Sequence, residues 1–101
     1  MVRHIVMWKL KESIPEHEKE DLKENVKSGF SGLIGKIPGL LEAVFIDKPI
    51  SSSTHDMALI TLFESEEALY GYKENPLHLR VANTFVRPNV YERSCMDYEE
   101  E

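Results

Sequence analysis

The stretch V-R-H-I-V-M-W-K-L, Val2 to Leu10, alternates with the two-residue period of a β-strand. Val2, His4, Val6, Trp8 and Leu10 fall on one side, and Arg3, Ile5, Met7 and Lys9 on the other. Both sides have an apolar centre. A strand with one wetted face carries polar residues at every second position. This one is therefore predicted to pack on helices with one face and on something more, such as a partner subunit, with the other.

Downstream, Ser13-Ile14-Pro15-Glu16 reads as a capping box that opens a helix. Leu22, Val26, Phe30, Leu33 and Ile37 then form a narrow apolar stripe, with Glu16, Glu18, Glu20, Lys23, Glu24 and Lys27 on the solvent side. Gly29, Gly32 and Gly35 each cost roughly 1 kcal/mol in a helix interior. Either the helix frays after Ser28 or its backbone comes close to another element there. Lys36 to Gly39 is a turn. Leu40 to Lys48 is a second strand with Leu41, Ala43 and Phe45 on one face, and Pro49 to Thr54 a polar loop. Met57 to Phe63 is nearly continuous in its apolarity, the mark of a central strand. Ser65-Glu66-Glu67 caps a short helix carrying Ala68, Leu69 and Tyr72, and Asn75-Pro76 ends it and starts another. Val90 to Tyr98 is the last strand, and the acidic end from Asp97 to Glu101 is expected to be solvated.

This order, β-α-β-β-α-(α)-β, is the α+β ferredoxin-like arrangement, a four-stranded antiparallel sheet with helices on one face, in a single domain over residues 1–101. One layer of helices leaves the other sheet face apolar. A two-fold dimer packing sheet against sheet into a closed barrel covers it.

Composition narrows the partners. A chain of 101 residues with 42% hydrophobic residues is too apolar for disorder and long enough for one core. Its net charge of -6 repels phosphate backbones and anionic lipid, so no nucleic acid and no membrane partner is expected. No apolar run reaches membrane-span length, no signal peptide is evident, and Cys95 is the single cysteine. A cytoplasmic location is expected.

The opening H-I-V-M-W-K-L-K (His4 to Lys11), I-P-G-L (Ile37 to Leu40), A-L-I-T-L-F-E-S-E-E-A-L (Ala58 to Leu69), Y-K-E-N-P-L-H (Tyr72 to His78) and the closing D-Y together resemble the stress-responsive A/B barrel (Dabb) family over essentially the whole chain. The resemblance implies a dimeric α+β barrel. Through a plant polyketide cyclase of that family, which closes a linear poly-β-keto thioester by aldol condensation, it implies catalytic roles for Tyr72 and His78 and a pocket position for His4. Where the cyclase has a further pocket histidine this chain has Met57, with His55 two residues earlier.

The residues alone support a similar chemistry. His78, in the first turn after Pro76, is disfavoured as imidazolium by the helix dipole and stays a usable base, while the Tyr72 phenol can donate to a carbonyl oxygen. Both have plainer readings, His78 as a helix-start residue satisfying local polar groups and Tyr72 as a core or cavity-wall aromatic. His4, Trp8, Met57, Phe63 and Phe85 are expected to line the ligand cavity, though His4 also suits a hydrogen-bonded core position. His17 should be solvated, His55 and Asp56 point to opposite faces, and Cys95 reads as a small core residue. No local His or Cys spacing suggests zinc, and no glycine-rich loop suggests a phosphate cofactor, so neither metal nor cofactor is expected. Three functions follow: binding of a small, largely apolar carbonyl compound, with or without cyclase-like or lyase-like turnover; a non-catalytic stress-linked module; or a cofactor-independent monooxygenase on the same barrel fold.

Overall fold

A computed structural model describes residues 1–101. Its elements are β1 (Val2–Leu10), α1 (Glu16–Ser31), β2 (Leu40–Ile46), β3 (Met57–Phe63), α2 (Glu66–Glu74), α3 (Pro76–Val81) and β4 (Val90–Glu99). After α3 the coil widens over Ala82–Val86 and tightens over Arg87–Asn89 before entering β4. The strands pair antiparallel in the order β2-β3-β1-β4, so the ferredoxin-like prediction holds and β1 and β3 are the central pair.

Cross-strand registry sorts the side chains into two faces. Val2, His4, Val6, Trp8 and Leu10 are all buried under the helices, beside Met57, Leu59, Thr61 and Phe63 of β3. The opposite face carries continuous rows, such as Val44-Ile60-Ile5-Met96 and Ile46-Ala58-Met7-Ser94. There Met7, Val44, Ile46, Met96 and Tyr98 are between 37% and 65% exposed. Five large apolar side chains on one bare sheet face exceed the scattered exposure of an ordinary surface.

Helix α1 lays Val26 and Phe30 into the core, and Leu33 and Ile37 continue the stripe in the turn that follows. The expected Ser13 cap does not form: α1 begins at Glu16, and no side chain caps it. Pro15 is held extended at φ -59° and ψ 143° immediately before the helix, which places Ser13 too early, and Ile14 packs against the core. Glu16 and Glu18 in the first turn complement the helix dipole instead. Gly29 settles the earlier alternative in favour of close approach, since a Cβ there would lie 2.7 Å from Val81 Cγ1.

The two later caps form as read. Ser65 accepts a hydrogen bond from Ala68 N at 3.1 Å, and Asn75 accepts one from Leu77 N at 2.9 Å with Pro76 in the first position of α3. Three details depart from the expectation. A bulge between Leu40 and Glu42 turns Leu40 into the core with Phe45 and sends Leu41 outward, because one extra residue inverts the alternation. Cys95 is exposed rather than in the core, because β4 is an edge strand. The acidic end is also not simply solvated. Arg3 reaches Glu42 and Glu100, each at 3.0 Å, and Asp97 bonds to His4.

Gly35 and Gly39 have φ of +82° and +80°, a region that costs other residues roughly 1–2 kcal/mol. A Cβ at Gly35 meets nothing, whereas one at Gly39 would stand 2.5 Å from Ala68 Cβ. Urea denaturation should therefore show Gly35→Ala losing about 1–2 kcal/mol, and Gly39→Ala losing a further ~1–3 kcal/mol from overpacking. Equal losses would mean that α2 yields at Ala68.

Candidate functional site

Four of the residues singled out in the sequence meet at one cavity of about 280 Å³ between sheet and helices: His4 and Trp8 from β1, Tyr72 from α2 and His78 from α3. Its apolar wall comes from Val6, Trp8, Phe30, Leu59, Ala82, Val86 and Val90, and its remaining polar lining is Lys73, Arg87 and Arg93. Asn75-Pro76 is what brings Tyr72 and His78 together. The extended Asn75 (ψ 129°) breaks the helix, and the rings end with centroids 4.1 Å apart and planes tilted by 38°. Spacing along the chain leaves this contact open.

The expectation that Met57, Phe63 and Phe85 line the same cavity is corrected. Phe63 is fully buried behind Tyr72 at 4.9 Å between centroids, where it supports the phenol from outside the cavity. Met57 is a core residue that reaches a shallow depression beside Pro49 and Ser52 to His55, and Phe85 borders another near Leu22 and Asn89. His17 is exposed. His55 bonds to Thr54 and Ser94, while Asp56 accepts from Leu10 N at 2.7 Å and ties off the end of β1, so the two form no dyad.

Residues missed in the sequence complete the site. Arg93, Cys95 and Asp97 on β4 lie directly opposite Trp8, Val6 and His4. The period-two alternation of β4 would have placed these three on one face, but their pairing with β1 required a strand order. His4 Nδ1 is hydrogen-bonded to Asp97 Oδ1. Cys95 Sγ lies 3.7 Å from His4 Nδ1 and 3.4 Å from Asp97 Oδ1, and Thr61 Oγ1 donates to the His4 carbonyl at 3.0 Å. His4, Cys95 and Asp97 thus group donor atoms within 4.8 Å, a cluster invisible to local spacing. Its Nδ1 is already committed to Asp97, and Lys73 Nζ stands 3.6 Å from the same carboxylate.

The charges at this cluster follow from burial. Desolvation pushes His4 below the ordinary histidine value, against the opposing pull of Asp97. For Asp97, partial desolvation acts upward. The His4 hydrogen bond and charge, aided by Cys95 and Lys73, outweigh it and hold the carboxyl below the usual range. The two directions make opposite demands on the ring. The His4 side chain is 4% exposed against 34% for Asp97, and this decides for a neutral imidazole donating Nδ1–H to an ionised carboxylate. That assignment leaves Nε2 unprotonated.

Burial also lowers His78, although the Lys73 backbone favours its protonated form slightly; Nδ1 is buried and has no hydrogen bond of good geometry. Burial raises the Tyr72 phenol well above its usual value, against the charge of Arg93, so it stays a proton donor. Cys95 is raised by desolvation and by Asp97 and stays a thiol. The cavity therefore combines an oriented neutral base, a protonated phenol, a second neutral imidazole and cationic side chains.

The sequence model described as the stress responsive A/B barrel domain matches residues 2–100. No curated protein sequence matches the chain. Among solved structures, a dimeric ferredoxin-like protein of unknown function from Bacteroides fragilis superposes with a TM-score of 0.90 at 25% identity, over 98% of this chain and 95% of that one. A Dabb family protein from Mesorhizobium loti gives 0.75 at 18% identity, over 99% and 96% of the two chains. A hydroxynitrile lyase from Passiflora edulis gives 0.76 at 18% identity, over 96% and 90%. With its sequence matched almost end to end, the chain belongs to the stress responsive A/B barrel domain family.

Proposed function

We propose that this protein is a homodimer that binds a small carbonyl compound in each cavity and moves a proton at the carbon next to the carbonyl. The carrying observation is the hydrogen bond from His4 to Asp97 beside Tyr72 and His78. With Nδ1–H held by Asp97, Nε2 of His4 removes the α-proton; the enolate oxygen accepts a hydrogen bond from the Tyr72 phenol, and the imidazolium returns the proton to carbon. Asp97 positions the ring and stabilises its charged form. His78, which lacks such an orienting carboxylate, packs on Tyr72 and fixes the phenol. The resemblance to a cyclase points to His78 as base instead, and the experiment below separates the two.

Dimerisation is supported by the bare apolar face and by the dimeric description of the Bacteroides fragilis protein. Facing sheets would bury Val44, Ile5, Met7 and Met96 from both copies.

In deuterated buffer, the protein should exchange the α-protons of butyrophenone, followed by proton NMR. His4→Gln should slow exchange by about 10²–10³-fold, and His78→Gln by much less. The reverse order would move the base to His78. Because burial lowers the His4 value, the active neutral ring persists below about pH 6.5. The rate should be flat at neutral pH and fall only on the acid side of that value. Asp97→Asn removes the groups that favour imidazolium, so the acid limb should move to lower pH while the plateau drops.

Sedimentation should give a mass of twice the 11.7 kDa chain, and Val44→Glu with Met96→Glu should give a folded monomer or a destabilised one. A monomeric wild-type protein would sink the barrel.

A further inference from the structure

We propose that the ligand of this cavity carries a carboxylate, held where the cavity opens to solvent by Arg87 and Arg93, several bonds away from its reacting carbonyl. This deepens the carbonyl-binding reading above and rests on it.

The charge of the cavity lining is opposite to that of the chain. The chain carries a net charge of -6, yet the charged residues lining the cavity are Lys73, Arg87 and Arg93. Lys73 already faces Asp97, and Arg3, elsewhere on the sheet, holds two carboxylates. Arg87 and Arg93 have no such partner. The side chain of Arg87 donates only to the neutral amide oxygen of Asn83. Both arginines are exposed, which places them at the rim, and their charges reach inward. Arg93 disfavours protonation of His4, and Arg87 and Arg93 disfavour that of His78.

Two guanidinium groups beside an apolar cavity select a planar anion that each can bind through paired hydrogen bonds. The enclosed space of about 280 Å³, walled largely by apolar residues, suits a compact acid better than a nucleotide-sized group. The register sets the distance. Arg93 opposes Trp8, four residues from His4, a separation of roughly 13 Å along the strand. An arginine side chain closes part of that gap, which leaves a few bonds between carboxylate and reacting carbon. A 4-oxo acid has that form.

The test compares 4-oxo-4-phenylbutanoate with its primary amide, equal in shape but uncharged, in NMR titrations of the intact protein. The acid should bind roughly tenfold tighter, as a charge-assisted pair allows. In Arg87→Gln with Arg93→Gln the ratio of the two affinities should fall to about one. A folding defect would weaken both probes together and leave the ratio as it was. Equal binding by the wild-type protein, or a preference that survives in the double variant, overturns the proposal and leaves the carbonyl site standing. Inorganic phosphate displacing the acid at equal concentration overturns the carboxylate assignment. If neither probe binds, both readings fail.

Discussion

A four-stranded sheet has two faces, and this chain has helices for only one of them. Everything else in the molecule answers that constraint. The central strand β1 is apolar on both sides, with Trp8 and Val6 beneath the helices and Ile5 and Met7 on the bare face. Burying a large apolar side chain contributes about 1.5–3 kcal/mol, and a core from so short a chain has little reserve. Covering the second face with another copy would enlarge the buried layer without lengthening the chain. It would also leave the helix side free to keep a cavity that a fully packed monomer would have to fill.

That cavity exists because the helical layer is broken. A continuous helix from Glu66 to Val86 would place Tyr72 and His78 by helical spacing alone. Asn75 and Pro76 interrupt it, and the coil widens again after Val81. The layer therefore bends around the space over His4 instead of closing on it. Gly29 performs the complementary task on α1, where the absence of a side chain lets Val81 come within reach and draws α3 against the first helix. Burial then sets the chemistry: both cavity imidazoles are driven toward neutrality and the phenol toward its protonated form.

The fold was legible because its signals are local and repeated. Strand alternation, the apolar run of β3, Ser65 and Asn75 as caps and the break at Pro76 each need only a few neighbours in sequence. The exceptions are local rules overruled by a neighbour: Pro15 displaced the cap expected at Ser13, and a bulge at Leu41 inverted the start of β2. The site was legible only in part. His4, Trp8, Tyr72 and His78 stand out as residue types. Asp97 and Arg93 do not, because an acid in an acidic tail and an arginine on an edge strand look like solvated surface until β4 is paired with β1. Met57, Phe63 and Phe85 show the converse: aromatic or large residues on the right elements that pack behind or beside the cavity.

The hydrogen bond between His4 and Asp97 spans 93 positions, joining the first strand to the last. During synthesis the histidine leaves the ribosome 93 residues ahead of the aspartate that bonds to it. Pairing of such separated strands is slow to form, since the intervening loop must be closed before any contact rewards it. The imidazole therefore acquires its orientation only once β4 pairs with β1. A chain without β4 would keep the other three strands of the sheet and lose the carboxylate that orients this imidazole.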